Sequence, residues 1–230
     1  CGGRWVDKAA LLREREAKQA ASRPPIQNTV RRQAVTAQSL AFVPVAGHEY
    51  RAISVIPNEL ITCEQRVSWD GHRYDCDNIC SLAVIERYGR QTPPATALLH
   101  NFGLTRGALA STVSHDSHNI VVAGIDPMDM ALAVNQLIAG GGGMCVVADG
   151  RALSHATLPI AGLMSDKTAD EIAAEIESLK AACRDCGVML DEPFIQMAFL
   201  SLPVIPTLKL TSLGLYDVNK FVFTHSELTA

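Results

Sequence analysis

Gly107-Ala108-Leu109-Ala110-Ser111-Thr112-Val113 and Asn119-Ile120-Val121-Val122-Ala123-Gly124 are two apolar runs, and His115-Asp116-Ser117-His118-Asn119 stands between them. Both runs are short and rich in small and β-branched residues, so they are predicted as strands over 107–113 and 119–124. Strands of this kind tend to be buried, and polar groups held between them need partners. Residues 115–119 are therefore either an internally satisfied turn, as many polar joints between strands are, or part of a site. The three-residue separation lets His115 and His118 share one side of a turn, with Asp116 or Ser117 orienting one imidazole. Histidine titrates near neutrality and can shuttle protons or ligate a metal. Two histidines alone do not complete a typical metal shell, so a metal here needs ligands from elsewhere.

Working towards the N-terminus, strands are predicted at 96–102, 79–86, 61–69 and 50–57, with Asp70-Gly71 as a tight turn. Before them the chain changes character. Residues 8–21 are charged and alanine-rich, which predicts an exposed helix, and Ser22-Arg23-Pro24-Pro25 breaks it. Polar, aperiodic sequence follows to about Ala41. A boundary near residue 44 thus divides a helical and extended arm, 1–44, from one domain, 45–230.

Towards the C-terminus, Asp126-Pro127 starts a helix with a capping carboxylate and a proline in its first turn. Its apolar face is Met130, Val134, Leu137 and Ile138, and Gly140 to Gly143 stop it. Residues 144–148 and 151–157 form a hairpin around Asp149-Gly150. A second helix runs from about Thr168 to Cys186, begun by the reciprocal cap Thr168/Glu171, with Ile172, Ile176, Leu179, Cys183 and Cys186 on its apolar face. Residues 194–202 read as a short helix or strand. Strand-like segments at 208–211 and 221–223 close the chain. The expected fold is α+β: a mixed, largely antiparallel sheet packed with two longer helices, preceded by the arm. The alternation of strand and helix over 119–190 leaves room for a parallel pair.

Composition narrows the function classes. A formal charge of −4 points away from nucleic acid and from an anionic membrane surface. No apolar run approaches the roughly 20 residues that span a bilayer, and no secretory leader pattern is present. Seven cysteines, an odd number, fit reduced thiols in the cytoplasm better than a disulfide framework. A chain starting at Cys1 is expected to be a truncated one rather than a lipidated one.

Other motifs have blander readings. Cys183-Arg-Asp-Cys186, with Cys76 and Cys80, has the makings of a thiolate site, but Cys183 and Cys186 lie on an apolar stripe where cysteine acts as a small hydrophobe. Gly140 to Gly143 follow a helix and precede a strand, the reverse of a phosphate cradle. Glu86-Arg87, Asp75 and Asp77 are expected to be solvated. His48, His72, His100, His155 and His225 are isolated.

The ordered set Ile85-Glu86-Arg87, Gly103-Leu-Thr-Arg-Gly-Ala-Leu-Ala-Ser111, His115 to Asn119, Asp129-Met-Ala-Leu-Ala-Val-Asn135, Leu158-Pro-Ile-Ala-Gly-Leu-Met-Ser165, Phe199-Leu-Ser-Leu-Pro-Val-Ile-Pro206 and Gly214-Leu-Tyr-Asp-Val218 strongly resembles the C-terminal region of bacterial-type adenine deaminases of the amidohydrolase superfamily. The resemblance covers about residues 46–224, and Gly3 to Asp7 look like the end of an amidohydrolase flanking segment. It implies hydrolysis of adenine to hypoxanthine and ammonia by a divalent metal, manganese or iron, held in a β/α barrel. That barrel, with its His-x-His ligands, has no counterpart in these residues. The expected partners are thus adenine, the chain's own N-terminal barrel and further copies in a homo-oligomer. His115, Asp116, Ser117, His118 and Asn119 are the candidate site-proximal residues, facing the barrel mouth. The competing readings are a non-catalytic ligand-binding or interaction module sharing the fold, and a small cysteine-based metal protein.

Overall fold

A computed structural model describes residue 7, residues 9–14 and residues 29–228 of the chain. Residues 9–14 are helical, as expected. The rest of the helix predicted over 8–21, the break at 22–25 and the flanking segment at 1–6 lie outside the described residues. Residues 29–44 run along the domain and carry one short helix, α1 (Ala37–Leu40), capped by Thr36. Asn135 clamps this segment, accepting from the Val35 amide at 2.9 Å and donating to the Val35 carbonyl at 3.0 Å.

The remaining elements follow in order: β1 (Glu49–Val55), β2 (Thr62–Ser68), β3 (Ile79–Ile85), β4 (Ala95–His100), β5 (Ala108–Ser111) and β6 (Ile120–Gly124). Then come α2 (Pro127–Ala139), the hairpin β7 (Gly143–Ala148) and β8 (Arg151–Thr157), and α3 (Ala169–Asp185). The chain closes with α4 (Pro193–Ala198), a 3-10 turn (Phe199–Ser201), β9 (Leu208–Thr211), β10 (Gly214–Asp217), β11 (Val222–Phe223) and β12 (Glu227–Leu228). Residues 194–202 are therefore helical. Ends differ from the sequence reading by a residue or two, the usual scatter of element boundaries.

The main sheet has the order β12-β1-β4-β3-β6-β5-β7-β8, with β2 paired to β1. Among the described strands its one parallel pair is β1 with β4; the other pairings are antiparallel. The parallel pair thus falls outside the 119–190 region where it was thought open. β2 pairs with β1 along all seven residues, so β12 and β4 share the other edge, at Glu49–Tyr50 and Ala52–Ser54. A small antiparallel sheet, β11-β10-β9, packs beside it.

Period-two alternation divides the core into two layers. Leu82, Val84, Leu109, Val121, Ala123, Val146 and Ala148 face one side, where α3 brings Leu179, Cys183 and Cys186 and the small sheet brings Leu208, Leu210 and Leu215. Ala83, Ile85, Ala108, Ala110, Ile120, Val122, Cys145 and Val147 face the other, against Met130, Val134 and Leu137 of α2 and Val35 and Leu40 of the arm. The two long helices cover opposite faces, which is why the central strands read as unbroken apolar runs. Burial pushes the Cys183 thiol up to about 12, as expected of a packing residue.

Local signals are realised as the residues dictate. The Asp126 carboxylate accepts from the Met128 amide at 2.8 Å, and Thr168 and Glu171 cap each other. The Asp149-Gly150 turn has positive φ at both residues, 54° and 73°, matching the twist of its hairpin. Both amides of that turn donate to Asp129 of α2, at 3.1 and 2.9 Å, which ties helix to hairpin.

Candidate functional site

β5 and β6 pair antiparallel, so residues 112–119 form one loop at a single end of the main sheet. The backbone of that loop is well satisfied. The His115 amide donates to the Ala198 carbonyl at 3.0 Å and the His118 amide to the Ser114 carbonyl at 2.6 Å. The hydroxyls of buried Ser114 and Ser201 hydrogen-bond, and Ser201 also donates to the His115 carbonyl at 3.2 Å. Asn119 is buried; its side chain accepts from the Arg87 amide at 3.3 Å and donates to the Ser117 hydroxyl at 3.2 Å.

The side chains divide differently. His115 and His118 are half-buried, with ring centres 5.6 Å apart, and His115 also lies 4.7 Å from the Phe199 ring. His118 sits in the left-handed region at φ 49°, and its Nδ1 accepts from the Ser114 amide at 3.4 Å. Backbone, not Asp116 or Ser117, therefore orients this imidazole, and its neutral form carries the proton on Nε2. Burial lowers the His118 pKa from the ordinary value, aided by the charges of His115 and Arg87. Asp116 and Ser117 are exposed, and the Asp116 carboxylate makes no hydrogen bond or ion pair among the described residues. The five residues thus form a loop closed in its main chain, with imidazole and carboxylate groups left over at the surface.

Glu86 and Arg87 correct the expectation of solvated charge: only 6% and 2% of their surfaces are exposed. Directly after β3, the Glu86 carboxylate accepts from the Tyr88 and Arg90 amides, the latter at 2.9 Å, capping the turn. Arg87 runs inward beneath residues 160–164. Its Nη2 donates to the Ala161 carbonyl at 3.1 Å, its guanidinium carbon lies 5.2 Å from the Tyr88 ring centre, and its Nε and Nη1 have no partner among the described residues. Tyr88 in turn donates its hydroxyl to the Ser117 carbonyl. The signal was the position of this pair, directly after the apolar run Leu82–Ile85.

Gly142 and Gly162 allow this packing. A Cβ on Gly142 would fall 2.4 Å from the Gly162 Cα, and one on Gly162 would fall 2.2 Å from Arg87 Nη1. The buried Thr112 hydroxyl bridges the same two segments, accepting from the Gly143 amide at 2.8 Å and donating to the Gly162 carbonyl at 2.6 Å.

Among the described residues no three of His, Cys, Asp and Glu converge on a point that would hold a metal ion. His115 and His118 have no third donor, and Cys80, Cys183 and Cys186 are buried in apolar surroundings. The residues do not fit the divalent metal that the resemblance implies. No helix here is long and apolar enough to cross a membrane.

Fold and site together define an α+β domain whose sheet is covered on both faces, with a polar loop cluster at one sheet end. A family described as the adenine deaminase C-terminal domain matches residues 30–222. The chain belongs to that family. It is 60% identical over 223 residues to the adenine deaminase of Edwardsiella ictaluri, a match spanning 97% of this chain and 38% of that protein. It is 56% identical to the adenine deaminase of Shigella sonnei and 55% to that of Escherichia fergusonii, in each case over 99% of this chain and 39% of the relative. The chain therefore spans less than two-fifths of the length of these relatives.

Proposed function

We propose that this chain is the C-terminal part of an adenine deaminase, a hydrolase converting adenine and water to hypoxanthine and ammonia. The observation that carries this reading is the 60% identity to an adenine deaminase along nearly the whole chain. In this reading the manganese or iron centre belongs to an N-terminal barrel, where it supplies the hydroxide that attacks the purine. The six described cysteines are all free thiols, which suits the reducing cytoplasm. The full protein works as a homo-oligomer.

The loop bearing His115, Asp116, Ser117, His118 and Asn119 faces the barrel mouth in this reading and helps to enclose the purine or relay protons. The support is chemical: burial, with the charges of His115 and Arg87, favours the neutral form of the half-buried His118 imidazole.

The test compares the 230-residue chain with the full-length polypeptide, following adenine loss by absorbance. The chain alone is expected to be inactive and the full polypeptide active. In the full polypeptide, His115→Asn and His118→Asn are each expected to lower turnover about tenfold or more at unchanged metal content, the usual scale for lost proton-transfer groups. Wild-type turnover in both variants overturns the role of the loop. Enzyme-like turnover by the chain alone overturns the division of labour.

A further inference from the structure

Beside the 115–119 loop lies a groove of about 430 Å³, bounded by Asp116, Ser117, Val204, Leu213, Tyr216 and Phe223. Its apolar walls are open to solvent: Val204 is 65%, Leu213 73% and Phe223 54% exposed. Phe221 and Val222, next along the chain, are exposed as well. Single exposed apolar residues need no explanation, but three that wall one groove do. Phe223 also lies on β11, the outer strand of the small sheet, whose far edge has no partner among the described strands. An unpaired apolar edge of this kind is a liability unless something covers it.

We propose that the groove seats an apolar segment with a basic flank, supplied by the N-terminal portion of the polypeptide. The inference rests on reading the chain as part of a longer deaminase. Two observations select this occupant. The relatives carry more than three-fifths of their length outside the match, so a full-length polypeptide of this kind offers a large further portion to cover the groove. And the one ionic group on the groove wall, Asp116, is exposed and makes no hydrogen bond or salt bridge among the described residues, although its charge reaches His118, so a lysine or arginine beside the apolar side chains complements it. Docking there brings the N-terminal portion against Asp116 and Ser117, so the groove fixes how the polar loop is presented.

The experiment is amide hydrogen exchange on the full-length polypeptide and on the 230-residue chain. Exchange at residues 212–216 and 221–223 is expected to be slower in the full polypeptide by about tenfold or more. Leu213→Glu, at an exposed turn that tolerates the change, is expected to return those rates to the values of the chain alone. Equal rates in both proteins overturn the proposal. So does concentration-dependent dimerisation of the chain alone, seen by sedimentation and abolished by Leu213→Glu, since a second copy then owns the groove. Adenine turnover, measured on the same samples, separates the two readings. A protected groove without turnover removes the deaminase assignment and keeps the docking; turnover with an unprotected groove does the reverse.

Discussion

Lys209 lies on β9, fully buried, with its Nζ donating to the Leu60 carbonyl at 3.0 Å. No carboxylate pairs with it among the described residues. Burial alone pulls its pKa down from 10.5 to about 8. In the unfolded chain Lys209 keeps its ordinary value, so the folded state binds fewer protons between about pH 8 and pH 10.5. Below pH 8 the folded protein carries the whole cost of a buried ammonium. Lowering the pKa from 10.5 to about 8, at about 1.36 kcal/mol for each tenfold change in proton affinity, puts that cost at roughly 3 kcal/mol near neutrality. Lys209→Met keeps the aliphatic stem and removes the charge, at the loss of one hydrogen bond worth about 1 kcal/mol. The variant is therefore expected to be about 2 kcal/mol more stable than the wild type at pH 7. As pH rises through 8 towards 10 the wild-type lysine sheds its proton in the fold, and the advantage shrinks by about 2.5 kcal/mol. Urea denaturation of both proteins at pH 7, 8, 9 and 10 measures this, and ionisations common to both cancel in the difference. A stability difference that does not move with pH, or one that is smaller at pH 7 than at pH 10, refutes the reasoning.

Gly162→Ala is expected to lose about 2–3 kcal/mol by thermal or urea unfolding, because it places a methyl group against Arg87 at a positive φ. Asp129→Ala removes the acceptor for both amides of the Asp149-Gly150 turn and is expected to cost about 1–3 kcal/mol, read by the same melts. His118, whose pKa is lowered in the fold, takes up its proton first in the unfolded state. Stability conferred by its neutral form is full above the ordinary histidine value and falls as pH drops below about 6.5. His118→Gln is expected to flatten the melting temperature profile between pH 7 and pH 5, and an unchanged slope argues against a depressed His118.

What could be read from the sequence was local. Asp126-Pro127, Thr168 with Glu171, and Asp149-Gly150 act within a few residues of themselves, so their helix starts and hairpin turn were legible before any coordinates. The mostly apolar runs at 79–85 and 120–124 likewise declare buried strands. What was not legible depends on distant chain. Arg87 is buried because residues 160–164 fold over it, some seventy-five positions later. Lys209 is inside because the segment around Leu60 covers the outer face of β9. The parallel pairing of β1 with β4 depends on where intervening β2 and β3 go. Within the 115–119 loop, the polar residue types were visible but their division was not. Only the fold shows that the Ser114 amide orients His118 while the Asp116 carboxylate is left exposed without a hydrogen bond among the described residues.

The core layer under α3 is completed by Leu208, Leu210 and Leu215, near the end of the chain. During synthesis, the apolar faces of the central strands leave the ribosome long before those three leucines do. A nascent chain halted before residue 208 leaves this side of the sheet uncovered, where chaperones or other unfinished chains can bind it. Loss of the last few dozen residues therefore produces a sticky protein rather than a shorter soluble one.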